Sequence, residues 1–291
     1  MRKVAILFIF ILLSSLLTAQ NKCALVIGIG QYPAESGWSE INGNNDIDIV
    51  TTFLIDNGFS KENIVILKNE QATKNRIIRE IKKITELSKE GDFIYIHFSG
   101  HGQQVTDLDG DEEDGFDEAW IPYDAKKEYK KGYYEGENHL IDDEINALLK
   151  EIKKKIGGKG GIVVVVDACN SGDSSRGEEE ETEEIVIRGT ADKFIIQDVA
   201  NTSKKVKIPI EWVEISACKS YQNNHECVIN GKNYGSLSYS LYSQRSDLPN
   251  IPLELVEKMI NRKMREFVSS RIQSVQIQSP ESSSGQILFK K

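Results

Sequence analysis

Two short fragments of this 291-residue sequence carry the residue types that nucleophilic catalysis requires. The fragment "HFSGHG" ends in His101 and Gly102, and the fragment "DACNSG" contains Cys169. A thiolate attacks a carbonyl carbon, an imidazole transfers the proton, and backbone N–H groups bind the developing oxyanion. Gly102 and Cys169 are predicted to supply those N–H groups, because both lie where the chain turns and glycine permits close approach. His101 is therefore the candidate base and Cys169 the candidate nucleophile.

Each fragment follows an apolar run, which predicts that both lie at the ends of strands. Residues 162–166 are five branched apolar residues bracketed by glycines, a pattern typical of a parallel strand buried on both faces. The carboxyl ends of such strands meet at one edge, where open α/β sheets bind their ligands. We expect His101 and Cys169 to meet there. The alternative, that Cys169 is only a small buried apolar residue, stays open.

Strand and helix patterns alternate before Cys169, which predicts a parallel sheet covered by helices. Strands are predicted at "KCALVIGIGQY", "NIVILKN" and "DFIYIHFS", with helices at "NGNNDIDIVTTFLIDNGF", "TKNRIIREIKKITELSKEG" and "DDEINALLKEIKKK". Thr73 is expected to cap the second helix, whose inward face carries Ile77, Ile81 and Ile84. Later segments predict a strand at "IPIEWVEISACKS", helices at "GSLSYSLYSQ" and "IPLELVEKMINRKMREFVSS", and a last strand at "GQILF". The predicted fold class is α/β, a three-layer α/β/α sandwich with a mostly parallel central sheet.

The first residues, "MRKVAILFIFILLSSLLTAQ", predict an export signal over residues 1–19. Two basic residues precede an apolar run from Val4 to Leu13, and small residues precede Ala19. The run is short for a membrane span, although an uncleaved N-terminal anchor is the alternative interpretation. We expect a secreted or periplasmic protein whose domain covers residues 20–291, with no membrane span after removal of the signal.

The chain is acidic. Its formal net charge is −9, and removing Arg2 and Lys3 with the signal subtracts two positive charges to leave −11. Such a surface repels phosphate backbones, so no nucleic acid partner is expected. Residues 174–207 concentrate charge, with "GEEEETEE" followed by "NTSKKVK", and are predicted to form a mobile excursion from the domain.

Four cysteines occur in this sequence. Only Cys218 and Cys227 are close enough along the chain for a local disulfide, and the sequence does not decide whether it forms. Among the histidines, His97 is predicted to be a core residue of the third strand, whereas His139 and His225 are predicted to be exposed.

Taken together, "YIHFSGHGQQVTDLDGDEEDGFDEAWIPYDA", "HLIDDEI" and "VVVVDACNSGD" resemble the metacaspases, a caspase-like peptidase family of bacteria, plants, fungi and protozoa. The resemblance extends from "ALVIGIGQY" through "NGNNDI" to "ISACKSYQ" and "YGSLSYSL". It implies a caspase-hemoglobinase fold with His101 as the base and Cys169 as the nucleophile. It also implies a monomeric enzyme that cleaves protein or peptide substrates after Arg or Lys.

The resemblance assigns Asp46, Ser99 and Asp167 to the pocket for that basic side chain. Paired buried carboxylates bind a guanidinium far better than any neutral side chain. For Asp46, a simple role at a helix start is the alternative. Two positions depart from the family pattern, because Asn170 stands where many relatives carry His and Gly43 where many carry Cys. The second departure affects the shape of the pocket, so the preference between Arg and Lys stays open.

The acidic loop "DLDGDEEDGFDE" raises the question of calcium. Residues at positions 1, 3, 5 and 12 of an EF-hand-like count are acidic: Asp107, Asp109, Asp111 and Glu118. Glu112 stands where an EF-hand requires glycine, so a solvated or site-lining loop is favoured over an EF-hand.

The resemblance implies a different calcium site, formed by Asp124, Asp142 and Asp143. A fourth ligand would be Asp173 or Glu178. Hard cations prefer such clustered carboxylates, and Ca²⁺ is expected as an activator rather than as a cofactor required for the chemistry.

The sequence thus predicts a secreted cysteine endopeptidase of metacaspase type. Its charged excursion contains basic residues that its own specificity would cut, namely Arg176, Arg188, Lys193, Lys204 and Lys205. Three alternatives stay open: a catalytically inactive caspase-like interaction module, a calcium-binding surface protein, and a related clostripain-like peptidase. The presence of both His101 and Cys169 favours an enzyme.

Overall fold

The computed structural model describes residues 20–112, 114–169, 186–196, 209–220, 222–268, 273–280 and 288–289. The predicted signal at 1–19 lies outside these residues, and so do 174–185 and 197–207 of the predicted excursion. In the part of the chain that is described, no helix has the length and apolar character needed to cross a bilayer.

A six-stranded sheet forms the middle layer. The strands of the described chain are β1 (Lys22–Gly28), β2 (Ile64–Lys68), β3 (Phe93–Ser99), β4 (Gly102–Thr106), β5 (Phe116–Trp120), β6 (Leu140–Ile141), β7 (Gly161–Asp167), β8 (Val213–Ser216), β9 (Glu226–Ile229), β10 (Lys232–Gly235) and β11 (Gln276–Gln278). The order in the large sheet is β11-β8-β7-β3-β1-β2. All neighbouring strands are parallel except β11, which runs antiparallel to β8.

Helices cover both faces of this sheet. They are α1 (Asp46–Asp56), α2 (Lys74–Leu87), α3 (Asp142–Ile156), α4 (Ser236–Ser243) and α5 (Leu253–Phe267). Alternate residues of β1 enter two separate cores, one shared with α2 and α3 and the other with α1, α4 and α5. Because both faces are buried, the central strands are continuous apolar runs rather than alternating ones. The predicted three-layer α/β/α architecture is confirmed.

The helix boundaries follow from local chemistry. The Thr73 hydroxyl accepts a hydrogen bond from the Arg76 N–H at 3.3 Å, which confirms the predicted cap of α2. The predicted inward isoleucines of α2 are buried. In α3, acidic residues occupy the first turn and lysines the last, an arrangement that complements the helix dipole.

Two small sheets lie beside the main layer, and the sequence analysis predicted neither. Strands β4, β5 and β6 form one of them, and β9 pairs with β10 in the other. The β9–β10 turn contains Asn230 and Gly231, both with positive φ, as a tight hairpin requires.

The prediction of a last strand at "GQILF" is wrong for its described residues. Leu288 and Phe289 form a bend, and the Phe289 ring packs against Phe53 and Phe93. These apolar residues are therefore used for packing instead of strand pairing. The antiparallel edge strand is β11 instead.

The fold should be most sensitive to substitutions in the buried central strands. In a chain carrying Cys169→Ala, we expect Leu25→Ala in β1 to lower the free energy of unfolding by about 2–5 kcal/mol, because its side chain has no exposed surface. Leu87→Ala is the matched control, since that leucine is 67% exposed and should cost about 0.5 kcal/mol or less. Urea denaturation of both variants measures this difference, and equal losses would contradict the described core.

Candidate active site

The register of two parallel strands brings the candidate nucleophile and base to one edge. Ser99 at the end of β3 pairs with Asp167 at the end of β7. His101 and Cys169 each follow two residues later, and the Gly100 N–H points to the Asp167 carbonyl oxygen at 3.4 Å. Both candidate residues are buried. The predicted meeting of the two strand ends is therefore observed.

The His101 ring is held in one orientation by its neighbours. It stacks on the Trp38 ring with centroids 4.8 Å apart, and the Tyr32 hydroxyl accepts the His101 backbone N–H at 3.0 Å. The Nε2 atom lies 3.0 Å from the Ser39 carbonyl oxygen, which can only accept, so Nε2 carries the hydrogen. Among the described residues, Nδ1 has no hydrogen-bond partner and retains its lone pair.

Electrostatics keep this imidazole neutral. Burial lowers the pKa of His101 to about 4, the Ser39 hydrogen bond opposes this effect, and the Arg188 cation adds to it. A neutral ring with a free Nδ1 lone pair is the form that a general base requires at neutral pH.

The Cys169 thiol lies between two groups from the segment after β8. Its Sγ donates to the Gln222 carbonyl oxygen at 2.8 Å. The pKa of the Cys218 thiol is raised well above its ordinary value by a hydrogen bond with Cys169 and by burial. All four cysteines are free in the structure, so Cys218 and Cys227 form no disulfide here.

The three predicted pocket residues surround a buried guanidinium, that of Arg188. Its Nη1 lies 2.7 Å from Asp46 and 2.6 Å from the Ser99 hydroxyl. The Asp167 carboxylate is 3.6 Å away, and a third carboxylate, that of Glu226, accepts from Nε at 3.0 Å. The Arg188 side chain has no exposed surface.

Burial and charge act against each other in this pocket. Burial raises the pKa of Asp46 to about 6, although the Arg188 cation lowers it. For Asp167, burial is outweighed by Arg188 and by hydrogen bonds from Asn224 and Ser238, which lower its pKa. The same carboxylates raise the pKa of Arg188 against its own desolvation. The pocket is therefore built for a cation.

Hydrogen-bond donors outside the predicted set hold these carboxylates. Asn224 Nδ2 donates to Asp167 at 2.7 Å, and Ser238 donates its N–H at 2.7 Å and its hydroxyl at 2.6 Å. The Gly235 N–H donates to Asp46 at 2.9 Å. The pocket carboxylates are thus fixed in place by residues 224–238, which run from just before β9 into α4.

The chain around Arg188 lies in the site like an added strand. The Arg188 N–H donates to the Asn224 carbonyl at 2.9 Å, and the Glu226 N–H donates to the Val186 carbonyl at 3.0 Å. Such main-chain pairing is a general mode of peptide recognition.

The Arg188 carbonyl oxygen accepts the Cys169 N–H at 2.6 Å. This N–H is one of the two predicted oxyanion donors. The other, that of Gly102, makes no hydrogen bond to this oxygen in the described chain. A Cβ on Gly189 would lie 2.8 Å from the Cys169 Cβ. The Arg188–Gly189 peptide bond therefore lies directly beside the candidate nucleophile.

The segment continues to a second anchor at Phe194. Its N–H donates to Gln104 at 2.8 Å, its carbonyl accepts from Thr106 at 3.0 Å, and its ring lies 4.3 Å from that of His139. The prediction that His139 is exposed is wrong, because it is buried in this contact, and the same prediction for His225 is wrong because that side chain is also buried. Residues 186–196 differ from the mobile excursion we expected, since they pack against the site at both ends.

Two further site residues were missed by sequence reasoning. Glu226 and Gly235 face each other across the β9–β10 hairpin. The Asn230–Gly231 dipeptide is a strong hairpin signal that would have predicted this pairing. Nothing local in the sequence indicates that the hairpin lies over Asp167.

The acidic loop between β4 and β5 forms a cluster of carboxylates with residues of β5 and of the start of α3. Three groupings place carboxylate oxygens within 4.8 Å of one another, and they are Asp107–Asp111–Asp117, Asp109–Asp111–Asp143 and Glu112–Glu118–Asp142. Burial, together with the charges of Asp142 and Asp107, raises the pKa of Asp117 to about 8. The loop leads into a strand, so it is not an EF-hand.

Asp142 and Asp143 lie in this cluster with the acidic loop, but Asp124 does not belong to any grouping among the described residues. Its carboxylate instead accepts the Lys74 N–H at the start of α2, at 2.9 Å. Asp117, which was not predicted, contributes a buried carboxylate in its place. The other candidates for a fourth ligand, Asp173 and Glu178, lie outside the described residues.

Comparison with known proteins gives a consistent family. A model of the metacaspase peptidase C14 domain matches residues 22–175, more than half of the chain. Metacaspase-1 of Eremothecium gossypii is 34% identical over 160 residues, which cover 52% of this chain and 32% of that protein. Metacaspase-1 of Scheffersomyces stipitis is 26% identical over 273 residues, which cover 79% of this chain and 64% of that protein. The chain spans less than two thirds of the length of either relative.

A crystal structure of a Geobacter sulfurreducens protein agrees in fold, with a TM-score of 0.63 and 22% identity over 93% of this chain and 98% of that one. The family match includes both strand ends that carry His101 and Cys169. The chain belongs to the metacaspase family of C14 peptidases.

Proposed function

We propose that this protein hydrolyses peptide bonds after Arg or Lys and that its first substrate is its own Arg188–Gly189 bond. One observation supports this most directly: the Arg188 side chain fills the carboxylate pocket while its carbonyl oxygen accepts the Cys169 N–H at 2.6 Å. A substrate held at these two points presents its carbonyl carbon to the thiol.

The chemistry needs only groups of this chain and water. The Cys169 thiol gives its proton to Nδ1 of His101, and the thiolate attacks the carbonyl carbon. The Cys169 N–H stabilises the oxyanion. As the C–N bond breaks, His101 returns the proton to the leaving amine, and a thioester remains on Cys169. Water, deprotonated by His101, then hydrolyses the thioester and restores the thiol.

Self-cleavage at Arg188 is favoured over the other basic residues of the predicted excursion. Lys193 points away from the pocket, with its Nζ 3.5 Å from the Phe116 ring centre. Arg176, Lys204 and Lys205 lie outside the described residues. In the intact chain, Arg188 blocks the pocket, so cleavage there is expected to precede activity on other proteins.

Hydrolysis of an added substrate tests the enzymatic proposal. We expect a fluorogenic Arg peptide to be cleaved under reducing conditions, and Cys169→Ala to lower the rate by about 10³-fold or more, because the nucleophile is lost. Cys23→Ala is the control, because this thiol lies at the start of β1 and its loss should leave the rate of hydrolysis unchanged. Absence of hydrolysis with and without Ca²⁺ would favour the inactive or calcium-binding alternatives.

Intact mass spectrometry tests self-cleavage. The wild-type chain should yield a fragment that begins at Gly189, whereas Cys169→Ala and Arg188→Ala should not, because one lacks the nucleophile and the other the pocket cation. Lys193→Ala should still be cut. Identical fragments from wild type and Cys169→Ala would refute self-cleavage.

We also propose that the acidic cluster binds Ca²⁺. Its donors are all carboxylates, which a hard cation prefers, and the pKa of Asp117 is raised by burial and by the charges of neighbouring carboxylates. Asp107, Asp111 and Asp117 would hold the ion, and Asp143 belongs to a second grouping that shares Asp111. Asp142 adds negative charge near Asp117. The ion would neutralise the loop between β4 and β5, and Val105 of β4 forms an isolated bridge with Phe194.

The pKa of Asp117 makes this testable. Because its folded pKa is about 8 and its unfolded value about 3.9, the folded state binds more protons between these values, so stability without Ca²⁺ falls as pH rises from about 4 to about 8. Asp117→Asn should therefore raise the melting temperature at pH 8 in chelator, and less at pH 5.

Added CaCl₂ should raise the melting temperature of the parent chain more than that of Asp117→Asn, because binding stabilises the folded state. Asp114→Asn, at an exposed position of the same loop, should respond like the parent. Equal calcium shifts in the parent and in Asp117→Asn would contradict a calcium site at this cluster.

Export through residues 1–19 and a monomeric state complete the proposed function. The charged N-terminal segment with its apolar run supports the first. Fractionation of expressing cells and light scattering of the purified protein test them.

A further inference from the structure

We infer that Glu226 makes the pocket select Arg over Lys. The inference rests on the proposed function and concerns the same pocket. Its basis is that Glu226 contacts a different atom of the Arg188 guanidinium from the one that Asp46 and Asp167 approach. Asp46 and Asp167 lie near the terminal Nη1, whereas Glu226 lies 3.0 Å from Nε.

The contact at Nε is one that lysine cannot reproduce. Counting along the side chain, the position of the Arg Nε is occupied in Lys by the methylene Cε. A bound lysine would therefore place an apolar carbon against the Glu226 carboxylate. Its ammonium group could still approach Asp46, so the terminal contacts alone do not distinguish the two residues.

Glu226 is held rigidly for this contact. Its Oε1 accepts the Asn42 backbone N–H at 2.7 Å, and its Oε2 accepts from Asn42 Nδ2 at 2.6 Å. The side chain is only 2% exposed. Both Asn42 donors are neutral, so they orient the carboxylate without neutralising its charge. A buried carboxylate that loses its cationic partner is strongly unfavourable.

The hairpin fixes the position of this carboxylate relative to the rest of the pocket. Glu226 pairs with Gly235 across β9 and β10, and the Gly235 N–H binds Asp46. A Cβ at Gly235 would lie 2.1 Å from Asp167 Oδ2 and 2.5 Å from Arg188 Nη1. Glycine at 235 therefore lets the hairpin backbone approach Asp167 and the guanidinium closely, which any larger residue at this position would prevent.

The test compares two peptides that differ only in Arg or Lys before the cleaved bond. The kcat/KM of each is measured with the self-processed wild-type chain and again with Arg188→Ala, which removes the resident side chain from the pocket. We expect a preference for Arg of about tenfold to hundredfold, the usual effect of one charge-assisted hydrogen bond.

Glu226→Gln should lower kcat/KM for the Arg peptide by about tenfold to hundredfold and for the Lys peptide by about threefold at most, because only Arg loses an ion pair. The matched control is Asp46→Asn, which removes a contact to the terminal group and should lower both values while keeping the preference. Melting temperatures of both variants establish that each is folded.

The outcomes separate the two proposals. Cleavage of both peptides at equal rates, or an Arg preference that Glu226→Gln leaves unchanged, would overturn the role of Glu226 but not the peptidase. Cleavage of neither peptide by any chain containing Cys169 would overturn the proposed function and this inference with it.

Discussion

A guanidinium without exposed surface lies among three carboxylates at the carboxyl edge of the sheet, and the arrangement of the site depends on this charge balance. Removing ions from water costs several kcal/mol each, so such a group is stable only when its partners are close and hydrogen-bonded. Three ionised carboxylates would carry more negative charge than one guanidinium can neutralise. The raised pKa of Asp46 and the donors Asn224, Ser238 and Asn42 offset that excess.

One strand register positions both the pocket and the reacting groups. Ser99 and His101 follow each other at the end of β3, as Asp167 and Cys169 do at the end of β7. In each pair the first residue lies at the Arg188 cation, and the second is the candidate base or the candidate nucleophile. A slip between β3 and β7 would displace both functions together, because side-chain direction alternates along a strand. The site therefore depends on the fixed register of these two strands, which their continuous apolar packing maintains.

The sheet and the strand-end residues could be predicted because they depend on local patterns. Apolar runs ending in glycine identify β3 and β7, and parallel pairing brings His101 and Cys169 to one edge. The pocket residues Asp46, Ser99 and Asp167 came from resemblance, since α1 and β7 are distant in the sequence. Their proximity is a property of the fold alone.

The residues that were missed show where local patterns fail. Arg188 lies in a charge-rich stretch that looks solvated, yet it is fully buried because its partners come from elsewhere in the chain. Glu226 belongs to a hairpin whose position over the sheet no motif reveals. Asp124 illustrates the opposite error, because a carboxylate in an acidic region is used to bind the backbone at the start of α2.

Arg188 belongs to the same polypeptide as the pocket it fills, and this has a thermodynamic consequence. A tethered ligand competes at an effective concentration of roughly millimolar, whatever the amount of protein present. Dilution therefore cannot empty the pocket of an uncut chain. A free peptide must outcompete an intramolecular rival, so the affinity measured on uncut molecules understates the intrinsic affinity of the vacant cleft.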